Sequence, residues 1–159
     1  MPVEEILRLV HVLGATVLFG TGAGIAFFMV MAERTRNPAI IAHVAGVVVI
    51  ADTVFTATAV VLQPLTGYGL ARMLGWPMTE GWIVLSLALY VVTGLFWLPV
   101  VWIQLRLRDL ARRAANDGAP LPPAFDRLYR IWFVCGFPAF FAVIAIFWLM
   151  LSKPQIPLF

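Results

Sequence analysis

Residues 9–32 read L-V-H-V-L-G-A-T-V-L-F-G-T-G-A-G-I-A-F-F-M-V-M-A, an uninterrupted apolar run bounded by Arg8 and Glu33. It exceeds the ~20 residues that a helix needs to cross a bilayer. Three further runs share its character: 39–62, broken only by Asp52, then 81–105 and 131–152. Lipid offers backbone groups no partner, and the runs lack the alternation of a barrel strand, so each is expected as a helix. The fold class expected is all-α, an antiparallel bundle of four transmembrane helices forming a single integral membrane domain.

The composition agrees. Of 159 residues, 62% are hydrophobic and 12% charged, too few charges for the surface of a soluble domain. Cys135 is the only cysteine, which excludes an intrachain disulfide and a thiolate metal cluster. No dense Lys/Arg face suits nucleic acid, so the lipid bilayer is the expected partner. The first run is longer than a signal h-region and has no small-x-small cleavage site followed by polar chain, so it reads as a retained anchor. Four spans put both termini and the second link on one side, with Arg8, Arg72 and Lys153. The other side holds Arg34, Arg36, Arg106, Arg108, Arg112, Arg113, Arg127 and Arg130. The excess of basic residues places that side in the cytoplasm and both termini outside. Pro64 and Gly67 are read as ending helix two, the link from Gly67 to Glu80 as a short interfacial turn, and Gly118 and its prolines as ending helix three.

Polar residues within the spans are the candidate site. His11 lies at the outer edge of its run and His43 at the inner edge of the next, ~25 Å apart in depth at 1.5 Å per residue. They therefore cannot ligate one haem or share one metal within a chain. Gly14 follows His11 at helical spacing and leaves room for a flat macrocycle or a close helix neighbour. Depth counting puts Gln63, Ser86 and Met150 at the level of His11. Gly20 and Gly24 form a G-x-x-x-G pair suited to helix packing, within the chain, in a homo-oligomer or against another membrane protein.

Asp52 is the sharper anomaly, because an unpaired carboxylate near mid-membrane costs several kcal/mol. It is expected to face the bundle interior on one stripe with Thr56, Ala59 and Gln63. Tyr90 falls within ~2 Å of it in depth. An Asp52–Tyr90 or Asp52–Thr93 hydrogen bond is therefore expected, as an interhelical tie or a proton-handling pair.

The stretches L-V-H-V-L-G-A-T-V-L-F-G-T-G-A-G-I-A-F-F, I-A-D-T-V-F-T-A-T-A-V-V-L-Q-P-L-T-G and W-L-P-V-V-W-I-Q-L-R-L-R-D-L-A resemble a bacterial family of predicted four-helix integral membrane proteins of unknown function. That resemblance implies an inner-membrane protein. His11-Val12-Leu13-Gly14 is also similar to the first helix of the membrane protoporphyrinogen oxidase family and the copper-resistance membrane domains near it. There the histidine is implicated in haem b binding, which implies His11 as a haem-iron ligand here. The oxidase family's functional lysine, early in its third helix, has no counterpart among Val84, Leu85 and Ser86. The leading expectation is a bundle holding haem b or another flat redox cofactor through His11, with Met150, Gln63 or water opposite. A non-catalytic membrane scaffold or subunit, and a copper or small-solute conduit, are the alternatives.

Overall fold

The computed structural model describes residues 2–157. These form four long helices: α1 (Val3–Arg34), α2 (Pro38–Met73), α3 (Gly81–Asn116) and α4 (Pro123–Ser152). All four are long and apolar enough to cross a membrane. The helix ends follow local chemistry. The Asn37 side chain accepts hydrogen bonds from the Ala39 and Ile40 N–H groups at 2.9 and 3.3 Å, and Pro38 opens α2. α3 stops at Asn116, ahead of Gly118 at φ 61°. Pro123 opens α4.

The outer surface is that of a protein solvated by lipid. Leu95, Leu98, Val134 and Phe141 project from α3 and α4 with more than 60% of their surface exposed. Water would penalise so large an apolar face, whereas hydrocarbon does not.

Packing differs between the two ends. At the end holding the links 35–37 and 117–122, Met29, Ile41, Leu107, Ala111 and Phe125 interlock in a fully buried core. Arg36 clamps this end by bonding Asp126 of α4 at 2.8 Å and Glu33 of α1 at 2.7 Å. Those two carboxylates hold its guanidinium above its ordinary pKa, Asp126 contributing most. Toward the other end the bundle splays. The segment Pro38–Ala51 of α2 packs on α3, whereas Ala57–Met73 packs on α1. α3 and α4 stay closely paired, and α1 touches α4 sparsely. Phe19 bridges that seam, stacked on Phe140 at 5.2 Å and tilted against Phe147 at 5.5 Å.

The change of partner along α2 coincides with a π-helical segment, Asp52–Thr56, where the Ala57 N–H reaches the Asp52 carbonyl. The wider turn brings Asp52 and Thr56 to the interior together, each 4% exposed. Asp52, Thr56 and Ala59 thus share one buried stripe.

One expected boundary is corrected. Helix two does not end at Pro64 and Gly67 but runs through both to Met73, which leaves only a short turn before α3. Proline has no N–H, so Pro64 deprives the Val60 carbonyl of its i+4 donor. The Tyr90 hydroxyl of α3 donates to that same Val60 oxygen. In hydrocarbon such a substitute donor is what allows a proline inside a helix. Tyr90→Phe is therefore expected to destabilise the protein by about 1–2 kcal/mol. In a Pro64→Ala background, where a backbone N–H returns, the same change should cost much less. A double-mutant cycle on denaturant unfolding in detergent checks this, and equal costs in both backgrounds would refute the assignment.

Candidate functional site

The splay opens a cleft of about 660 Å³ between the α1/α2 wall and the α3/α4 wall. That volume lies within the ~300–1,000 Å³ of small-molecule sites. His11 lines it together with Gln63, Ser86 and Met150, which depth counting put at its level, and so do Tyr90 and Thr93, which were expected beside Asp52. Trp76 and Trp82 stand edge to face at 5.6 Å near its mouth, with Lys153 Nζ 5.3 and 5.8 Å from their rings. Arg8, ion-paired with Glu4, also lines it.

His11 Nδ1 lies 2.8 Å from Thr66 Oγ1. The Thr66 oxygen also lies 2.7 Å from the Leu62 carbonyl, one turn back, which can only accept. With the hydroxyl hydrogen on the Leu62 carbonyl, Nδ1–H donates to the threonine oxygen; with that hydrogen on His11, Nδ1 accepts. A neutral imidazole protonated at Nδ1 leaves a lone pair on Nε2, the arrangement found in histidines that ligate metals or accept protons. Nε2 makes no hydrogen bond among the described residues.

Two glycines make this arrangement possible. A Cβ on Gly67 would come 3.1 Å from His11 Cε1, so glycine lets the imidazole pack closely against α2. A Cβ on Gly14 would fall 2.4 Å from Gln63 Nε2. The Gln63 amide needs that space to donate to the His11 carbonyl at 2.8 Å. The room beside Gly14 thus holds a helix neighbour, and the Gln63 N–H group is occupied as an α1–α2 tie. Thr66 and Gly67 were missed as site residues because helix two was expected to stop before them.

Below the cleft lies a second cavity of about 370 Å³. Leu18, Thr93 and Val143 line both, so the two adjoin. Asp52 faces this lower cavity, and its neighbours there are Thr56, Trp97 and Gln104. Here the expected pairing is corrected. Tyr90 is engaged with Val60, and Thr93 Oγ1 donates to the Leu89 carbonyl at 2.9 Å, so neither bonds Asp52. The physical reason is register: once α2 continues to Met73, the antiparallel pairing shifts toward the C-terminal part of α3. Asp52 then lies level with Trp97 and Gln104.

His43 is exposed near the start of α2, remote from both cavities. Gly20 is exposed with no neighbour where a Cβ would sit, and Gly24 meets only Phe28 of its own helix. The G-x-x-x-G pair is therefore not used between helices of this chain. Among the described residues no three His, Cys, Asp or Glu gather as a metal cluster.

Four apolar helices enclosing a membrane-level cleft define an integral membrane protein embedded in the lipid bilayer. Residues 5–154 match the family described as predicted integral membrane protein (DUF2269), and the chain belongs to that family. Comparisons with curated proteins and with solved structures give no match.

The tautomer is open to direct measurement. In the full chain, ¹⁵N NMR of the His11 ring should show Nδ1 protonated and Nε2 bare at neutral pH. Thr66→Val should erase that preference. A ring protonated at Nε2 in the unsubstituted protein would refute this and show that Nδ1 accepts from Thr66.

Proposed function

We propose that this chain is a multi-pass protein of the bacterial inner membrane, with both termini on the periplasmic side, that binds haem b in the His11 cleft. The observation that carries the reading is the His11 imidazole lining the cleft with Nδ1 2.8 Å from Thr66 Oγ1 and with no hydrogen bond to Nε2 among the described residues, so that Nε2 can offer its lone pair to iron. His11 would hold the iron, and Met150, on the opposite wall, is the candidate second ligand, with water in its absence. The apolar walls, with Trp76, Trp82 and Phe147, suit a flat macrocycle. Trp82 Nε1 is buried without a partner, and Arg8 and Lys153 stand at the cleft, so carboxylate groups would meet donors there. Bound haem supplies one-electron chemistry; the chain supplies an orienting hydrogen bond to its ligand and a site sheltered from water.

A second reading, a non-catalytic membrane subunit or homo-oligomer, draws support from the unfilled surface at Gly20. A copper conduit would need a denser ligand set than the one His11 offers.

Titrating haem into the purified protein in detergent is expected to give a saturable Soret band. His11→Ala should abolish its shift, and Lys153→Gln should weaken binding about three- to tenfold. Thr66→Val should also weaken it, by releasing the ring. A Soret band indifferent to His11→Ala would overturn the proposal.

A further inference from the structure

Of the five buried side-chain polar atoms without a partner among the described residues, four belong to the walls of the lower cavity. They are Thr56 Oγ1, Trp97 Nε1, Gln104 Oε1 and Trp132 Nε1, of which the Thr56, Trp97 and Gln104 side chains also face the Asp52 carboxyl, short of close hydrogen bonds. A native structure seldom leaves such atoms unpaired, because each costs about 1–3 kcal/mol when buried. Thr56, Gln104 and Trp132 are at least 96% buried, and Asp52 joins them on the π-helical segment of α2. Together they call for something that fills the cavity and completes their bonds.

The donor–acceptor pattern narrows what that is. Two indole N–H groups need acceptors, which a bare cation or an ammonium group does not provide. The Gln104 oxygen and the Asp52 carboxyl exclude a fully charged anion. Hydroxyl and carbonyl oxygens satisfy both sets. The remaining wall is apolar and aromatic, with Phe19, Phe133, Phe137 and Phe140. Gly22, Ala26 and Gly136 line the cavity and are themselves exposed on the lipid side, where α1 and α4 scarcely touch. The cavity is therefore reachable sideways from the bilayer through a slot edged by small residues.

We propose that this cavity is a second binding site, distinct from the His11 cleft, for a lipid-dissolved ring bearing hydroxyl or carbonyl oxygens, of the quinol and quinone class. Its ring lies among the phenylalanines. Its oxygens accept from the Trp97 and Trp132 N–H groups, and in the quinol form its hydroxyls also donate to Gln104 Oε1 and Asp52. The site does not depend on haem binding in the cleft above it.

The probe is a short-chain ubiquinone added to the full-length protein in detergent, read by quenching of tryptophan fluorescence. Saturable quenching is expected. Trp97→Phe and Asp52→Asn should each raise the dissociation constant about five- to tenfold. Gly22→Leu and Gly136→Leu, at positions where a Cβ meets nothing within 4 Å, should weaken or slow binding by narrowing the slot. His11→Ala should leave it unchanged, which separates this site from the cleft. Quenching that rises linearly without saturation, or that saturates identically in all four cavity and slot variants, would overturn the proposal and leave the cavity to water.

Discussion

In hydrocarbon every backbone N–H and carbonyl must find a partner within the protein, and α2 departs from regular helical bonding in two places. At Asp52–Thr56 the bonds widen to a π turn, and at Pro64 an N–H is missing. Both departures are absorbed by groups of the protein itself. The Thr53 and Thr58 hydroxyls bond back to the Val49 and Val54 carbonyls at 2.8 and 2.6 Å, and Tyr90 serves Val60 from across the bundle. The cavity and the cleft lie beside these two irregularities. A straight, regular α2 would present one face to α3 along its whole length. The π turn redirects its second half onto α1, and the space so opened is the site.

The spans were legible because hydropathy and length decide them almost alone. The end of α2 was not legible for a related reason. Proline and glycine terminate helices when water can take over the freed backbone groups. Inside a bundle the substitute donor is a tyrosine thirty residues away, which no local pattern shows. That single boundary moved the register of α2 against α3. It hid Thr66 and Gly67, and it exchanged Trp97 and Gln104 for Tyr90 and Thr93 as the neighbours of Asp52. The same depth counting put Gln63, Ser86 and Met150 at the level of His11, and all three line the cleft with it.

The glycines illustrate how a role can be visible while its cause is not. Spacing put Gly14 beside His11, and either a ligand or a neighbour would have justified it. The structure assigns the space to the Gln63 amide. The glycine against which the imidazole packs is Gly67, on the other helix, and it reads from the sequence as a helix breaker. Conversely, Gly20 and Gly24 carry a familiar packing motif that the chain itself leaves unused.

The asymmetry between the two ends follows from the same constraints. The Arg36 end is closed by large interlocking side chains and by a guanidinium shared between two carboxylates, which ties α1, the first link and α4 together. Charges there sit in water and need no enclosure. The middle of the bundle holds the π turn and the Trp97 and Trp132 indoles, and the opposite end holds Pro64, the Trp82 indole and His11. These groups are tolerable in a membrane only if they line a space that something polar or metal-bearing can fill. A rigid end can hold the splay of the other because α2 is continuous through both. The tightly packed half thus fixes the separation of the walls, so that the open half keeps its shape without collapsing onto itself.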